Sequence, residues 1–395
     1  MSLVETPESS LSKHLRILVL SHEFPPVGGG GAQVIQDLCR GLVRRGHAIK
    51  MLTTHFAGLP KEEEIDGVQV YRLDCGRRVP YRARFSEMGR FVIGGLVKGL
   101  DLVRGWRPDV IHVHFAVPAG ALALALSALT GAPYILTVHG GDVPGGAPEK
   151  TAGWFRWLYP FTHPIWRRAR RVVAVSEYTR QLAQSHYPVQ IQVIRNGFNF
   201  SALCPGEIEV GVPPRVIWAG RFMPEKNPIQ VVRTLAALGD IPWNCVMIGD
   251  GPEKARVQQE IAHLGLEDRF TIPGWVHQDQ VMEWFSKSDV LFMPSFSEGL
   301  PIVGLQGLAL GLAIVATQVG GFVDLVEPAK NGFLVENPNG TGFSEPLRRL
   351  LSDPKLLKSF RKASFSVTQR FDISHMVAAY DKLLVETMDE SNARR

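Results

Sequence analysis

Cysteine is scarce: Cys39, Cys75, Cys204 and Cys245 are the only four in 395 residues. They are scattered without metal-like spacing, which argues against a disulfide framework or a zinc site and fits a reducing cytoplasm. No run of about 18 consecutive apolar residues occurs, so no helix is expected to span a membrane. The nearest candidate, residues 116–130, contains Pro118 and small side chains and reads as a buried crossover helix. The first 13 residues are polar and acidic rather than basic and then apolar, so they do not read as a signal peptide; residues 1–14 are expected to form a disordered arm. The glycine run Gly28–Gly31 is not G-x-G-x-x-G and no acidic residue follows at the usual distance, so a dinucleotide fingerprint is absent. No nucleic-acid module is recognisable.

What is present is ordinary in bulk and uneven in distribution. At 45% apolar and 21% charged residues the chain reads as globular, and its length predicts about two domains. Residues 1–200 carry 24 Lys/Arg against 15 Asp/Glu, whereas the remainder carries 19 against 23. A basic half joined to a mildly acidic half points to an anionic partner for the first.

Both halves alternate buried strands with helices. Arg16–Leu20 runs into a polar turn and the four glycines, and a helix with Val34, Leu38 and Leu42 on one face follows. Further apolar strands are expected at Ile49–Thr53, Val68–Arg72, Val110–Val113, Tyr134–Val138 and Arg171–Val175. The pattern restarts at Arg215–Ala219 and continues through Cys245–Ile248, Arg269–Ile272, Val290–Met293 and Ala313–Ala316. Continuous apolar strands separated by helices predict parallel sheets covered on both faces. The expected fold is α/β, two Rossmann-like doubly wound domains facing each other across a cleft. Residues 15–200 are expected to form the first domain, 201–213 a linker, 214–370 the second domain, and 371–388 a helix packing back toward the first.

Several turns carry candidate chemistry. Gly220-Arg221 follows a strand, and Lys226-Asn227-Pro228 opens a helix. Two cations beside a helix N-terminus suit a diphosphate; the plainer reading is a solvated loop. Glu298 follows the strand Val290–Met293, with Gly299 and Leu300 behind it. A carboxylate there suits sugar hydroxyls; the plainer reading is a helix-start carboxylate. His139 and Asp142 follow Tyr134–Val138 and could bond a sugar, or simply the loop backbone. His22, His112 and His114 also sit at strand ends, but no spacing points to a metal. Gly28, Gly29 and Gly30 would admit a ligand close to the backbone, or serve only as a flexible loop. A basic aromatic stretch runs from Trp154 to Arg171, and Arg77, Arg78, Arg82, Arg84 and Arg90 form a second basic group. Such stretches suit an anionic membrane surface, or are helices with a solvated basic end.

Taken in order, these residues resemble the large retaining glycosyltransferase family of GT-B fold, which includes mannosyl-, glucosyl- and N-acetylglucosaminyltransferases of cell envelopes. The resemblance covers about residues 16–384 and rests on Pro25-Pro26 with the glycine run, Pro108–His114, Thr137–Gly140, Arg195-Asn196-Gly197, Gly220-Arg221 with Lys226, Gly249–Pro252, Pro294-Ser295 with Glu298, and Gly320-Gly321. It implies a nucleotide-sugar donor, a saccharide or lipid-linked acceptor, and no metal or other cofactor. Arg221 and Lys226 would hold the donor diphosphate, Glu298 the sugar hydroxyls, and His139 the sugar near the reacting carbon. Asp142, Asn196, Gly220, Gly299 and Leu300 would line the substrate, and Gly28–Gly30 would lie under the phosphates. The family's second Glu is here Gln306, which has one acceptor oxygen where a carboxylate has two. The pair after Gly320-Gly321 is Val323-Asp324 instead of Pro-Glu, and Asn199 replaces a usual Asp. Gln306 keeps a second reading open, a non-catalytic nucleotide-sugar-binding partner; a third is a nucleotide-sugar epimerase, which the Arg/Lys pair fits poorly. A cytoplasmic protein on the inner membrane face is the expected setting.

Overall fold

The computed structural model describes residues 13–80, 83–146, 155–200 and 208–393. Most of the expected arm and of the linker, with Cys204 and Trp154, lies outside the described residues. The chain folds as two compact units. Unit 1 comprises Met1–Thr137, Pro160–Val173 and Val377–Arg395; unit 2 comprises Val138–Tyr159 and Ala174–Met376.

In chain order the first elements are β1 Arg16–Leu20, α1 Gly30–Arg44, β2 Ala48–Thr54, β3 Glu62–Ile65, β4 Val68–Leu73, α2 Phe85–Trp106, β5 Val110–His114, α3 Ala121–Thr130, β6 Tyr134–Val138, α4 Phe155–Arg168, β7 Arg171–Ala174, α5 Glu177–Gln184 and β8 Gln192–Val193. Their sheet has the order β3-β4-β2-β1-β5-β6-β7-β8. β1 lies parallel to β2 and β5, β2 to β4, and β5 to β6, while the polar β3 runs antiparallel to its neighbour β4. All of β5 and β6 is buried, as continuous apolar strands with both faces covered require. The segment expected as one helix over 116–130 breaks: Ala116–Gly120 is an irregular turn with a non-helical Val117, and regular helix starts at Ala121. Pro118 accounts for the break, because its ring disfavours helix at the residue before it.

The chain continues through β9 Arg215–Ala219, α6 Pro228–Ala236, β10 Asn244–Ile248, α7 Lys254–His263, β11 Phe270–Gly274, α8 Gln278–Ser286, β12 Val290–Met293, α9 Ile302–Ala309, β13 Ala313–Thr317, α10 Phe322–Leu325, β14 Gly332–Val335, α11 Ser344–Ser352, α12 Pro354–Thr368 and α13 Ile373–Ala393. The second sheet has the order β11-β10-β9-β12-β13-β14 and is parallel throughout its described pairings. Chain order reverses between β9 and β12. In an open parallel sheet the loops leaving the two strands at such a point diverge and leave a crevice at their carboxyl ends.

A buried ion pair fastens the helical layer of this sheet. Arg361 on α12 donates to Asp289 at 2.5 Å, and the same carboxylate accepts from the N–H groups of Gly211 and Arg215. Burial pushes the Arg361 pKa down and the contact with Asp289 opposes the shift. In unit 1, α13 is held against the first strands. Leu15 N–H donates to His47 Nδ1 at 3.2 Å, which leaves the ring proton on Nε2, 2.8 Å from Asp381. Arg45 donates to the other Asp381 oxygen at 2.7 Å. Among the described residues no helix is long and apolar enough to cross a membrane.

Candidate active site

Three turns of unit 2 come together around the carboxyl ends of β9 and β12. After β9, the Gly220 N–H donates to Ile248 at 3.0 Å and the Phe222 N–H to Asp250 at 2.9 Å. Gly249 has φ +134°, and a Cβ there would lie 1.9 Å from the Gly220 carbonyl oxygen, so only glycine lets the two turns touch. Pro224–Lys226 make one tight helical turn. Asn227, with φ +49°, then redirects the chain into α6, whose first residue is Pro228. The Asn227 side chain secures the turn by donating to Pro338 at 2.8 Å. Lys226 is therefore fixed just ahead of α6, and Arg221 stands half-buried at the start of the same turn.

Lys226 is largely withdrawn from solvent. Its Nζ donates to Glu298 Oε2 at 2.6 Å, and the two side chains are only 18% and 6% exposed. The other oxygen, Oε1, is buried and accepts no hydrogen bond from the described residues. α9 starts at Ile302 behind Pro301, so Glu298 lies ahead of the first helical turn and is not the helix-start carboxylate of the plainer reading. Nor is Lys226 one of two surface charges on a solvated loop.

The third turn follows β6. The His139 N–H donates to Asp142 Oδ1 at 2.9 Å, and the Val143 N–H donates to the Gly140 carbonyl at 3.0 Å. One oxygen of the buried Asp142 thus shapes the His139 turn. This turn meets the Glu298 turn closely: a Cβ on Gly299 would lie 2.3 Å from the His139 carbonyl oxygen. Gly320, at φ +57°, packs on the far side, where a Cβ would lie 1.9 Å from the Glu298 carbonyl oxygen. The Gly321 N–H donates to the Gly299 carbonyl. Gly320-Gly321 therefore buttresses the Glu298–Leu300 backbone.

The structure brings His139, Asp142, Lys226, Glu298 and Gly299 into one connected cluster through these contacts. Leu300 is buried beneath it, with its backbone and side chain against Gly321. Gln306 lies inside α9 and is 3% exposed. Asn196 is buried, and Gly197 beside it packs on Ile373. Gly28, Gly29 and Gly30 belong to unit 1. Gly28 has φ +111° and donates to Pro80 at 2.8 Å; the space left by its missing side chain is filled by Glu23 and Ala32. Gly29 caps α1 and Gly30 is already helical, so the glycine loop is shorter than expected.

The remaining rim histidines serve unit 1. His112 Nε2 is 2.9 Å from Thr137 Oγ1, and its ring lies against those of His114 and Tyr380. Burial lowers the His22 pKa to about 4, with Glu23 opposing and Arg77 adding to the shift. Two side chains make contacts that the sequence did not announce. Ser297 Oγ donates to the Gly146 carbonyl, tying the Glu298 turn to the His139 loop a second time. Asp324 accepts from the Glu177 N–H and from Arg195, both at 3.3 Å. A second glycine pair at Gly145-Gly146 was the one available signal for the first; none marked the second.

The family profile described as glycosyl transferases group 1 matches residues 208–367, and that of glycosyltransferase family 4 matches residues 28–201. The chain is 30% identical to 2-deoxystreptamine N-acetyl-D-glucosaminyltransferase of Streptomyces fradiae, over 79% of this chain and 80% of that one. Its fold resembles sucrose-phosphate synthase from Thermosynechococcus elongatus, with a TM-score of 0.84 at 21% identity, covering 95% of this chain and all of that one. It also resembles Anabaena HepE solved with UDP-glucose, with a TM-score of 0.75 at 18% identity over the same shares. Fold and site together define an α/β enzyme of the GT-B type. The chain belongs to the group 1 glycosyltransferases and is a glycosyltransferase.

Proposed function

We infer that the protein moves a hexosyl group from a nucleotide-diphosphate sugar to a hydroxyl of a saccharide or lipid-linked acceptor, with retention at the anomeric carbon and without metal or other cofactor. The reading rests on one observation above all: a lysine and a carboxylate paired at 2.6 Å at the switch point of the second sheet, with the second carboxylate oxygen buried. An arriving diphosphate gives Lys226 a new anionic partner. Glu298 is then released to accept the sugar hydroxyls, which satisfies the oxygen that accepts nothing from the described residues. Arg221 and Lys226 stabilise charge growing on the departing diphosphate, a service a metal would otherwise supply. In front-face attack the bond from the anomeric carbon to the phosphate oxygen breaks as the acceptor oxygen bonds on the same face. The departing oxygen takes the acceptor proton. His139, half-buried beside Gly299, borders the sugar.

The donor class is supported by the likeness to HepE solved with UDP-glucose. The test is product analysis: an NMR spectrum of the disaccharide or glycolipid should show the donor's anomeric configuration preserved. An inverted product would sink the retaining mechanism. Gln306 accepts only one ribose hydroxyl where a carboxylate accepts two, so Gln306→Glu should lower the donor KM about tenfold, the equivalent of 1–2 kcal/mol. Nucleotide binding without turnover in the natural chain, converted to turnover by that substitution, would instead favour the degenerate binding protein. The work is done in the cytoplasm, peripherally at the inner membrane face, a setting supported by the basic first half of the chain.

A further inference from the structure

Unit 1 holds a concavity that transfer chemistry does not use. Arg167 and Arg168, at the end of α4, line a cavity of about 270 Å³ with Arg170, Arg171, and Thr387 and Glu390 of α13. Glu390 accepts from Arg171 and neutralises one of the four guanidinium groups. Three positive charges are left around a space large enough for a phosphate group. Like charges gathered this closely repel unless an anion joins them, and the planar fork of Arg matches phosphate oxygens in pairs. The carboxyl end of α4 tolerates the cations, because its last carbonyls carry partial negative charge.

The same helix displays apolar surface. Trp157 and Phe161 are 79% and 74% exposed. With the exposed Pro164 and Arg168 they fall at positions i, i+4, i+7 and i+11, one face of a helix with 3.6 residues per turn. A soluble phosphate ester would use the arginines and leave the aromatic rings in water. A bilayer surface uses both, since aromatic rings settle at the headgroup level while guanidinium groups hold lipid phosphates.

We propose that this face of α4 and the arginine cavity at its end dock the protein on a phospholipid surface of net negative charge. Trp157 and Phe161 enter the headgroup boundary, and Arg168 and Arg170 hold phosphates. The proposal rests on the membrane-side setting inferred above and names the surface that makes the contact. It fails separately from the transfer reading, because donor hydrolysis in the absence of membrane does not require it.

The test is co-sedimentation of the full chain with vesicles of phosphatidylcholine alone or mixed with phosphatidylglycerol. Binding should favour the anionic vesicles at low salt and fall at least about tenfold in high salt. The double variant Arg168→Glu/Arg170→Glu should lose about tenfold or more of that binding. Trp157→Ser/Phe161→Ser should weaken it comparably yet keep the salt dependence, with donor hydrolysis unchanged in both variants. Equal partition onto both vesicle types, or variants that bind as the natural chain does, would overturn the proposal. So would stabilisation by glycerol phosphate through Arg168 and Arg170 without vesicle binding, which would make the cavity a site for a soluble phosphate.

Discussion

Glu298 and Lys226 show what a single residue can and cannot disclose. Read alone, each had an ordinary alternative: a carboxylate at a helix start, a lysine on a solvated loop. The fold removes both by burying them as a pair. Nothing in the sequence separation of 72 positions announces that contact. His22 carries a prediction at the same scale. Burial holds its pKa near 4 in the folded chain, against 6.5 when exposed. Above pH 6.5 both folded and unfolded chains leave it neutral, and stability is unaffected. Below that, only the unfolded chain binds the proton, so stability falls as pH drops from 6.5 toward 4, by about 3 kcal/mol at the limit. Urea melts across this range should show that loss, and His22→Asn should flatten it. Parallel profiles for the two proteins would refute the assignment.

At the level of elements, strands and the parallel class were legible because apolar runs such as Val110–Val113 and Tyr134–Val138 are too short for a buried helix and alternate with helical stretches. Helix starts were less so. α1 begins two residues early inside the glycine run, and the stretch over 116–130 splits at Pro118. Local backbone chemistry decides these, and an apolar pattern averages over it. Turn contacts were least legible, because they pair distant segments. Gly320 is the sharpest case. Its missing side chain admits the Glu298 carbonyl. Gly320→Ala must move that turn and adopt an unfavourable positive φ. The expected cost is roughly 1–3 kcal/mol of stability, with a fall of about a hundredfold in kcat/KM as Glu298 shifts. Thermal melts and steady-state kinetics on one preparation would check both, and unchanged kinetics would detach Gly320 from the site.

For the whole molecule, the order β11-β10-β9-β12-β13-β14 explains why the donor-side candidates cluster. Arg221 and Lys226 follow β9, and Glu298 follows β12, the two strands flanking the reversal. The sequence carried the motifs but not their adjacency. The last helix is expected from the sequence to pack back toward the first domain; within unit 1, Asp381 ties α13 to His47 and Arg45. Asp381→Ala leaves the buried His47 ring without its acceptor and should cost about 2–4 kcal/mol, read as a lowered denaturation midpoint. A neutral substitution would show that α13 is held by its apolar contacts alone.

The most direct measurement of the central claim is release of nucleoside diphosphate from a panel of nucleotide sugars, with Lys226→Gln alongside the natural chain. Glutamine cannot neutralise a diphosphate, and its shorter, neutral side chain leaves the buried Glu298 without a paired cation. The natural chain is predicted to turn over at least one donor, and the variant to lose roughly a hundredfold or more in kcat while circular dichroism shows it still folded. Comparable turnover by the two proteins, or none with any donor in the presence of diverse acceptors, would contradict it.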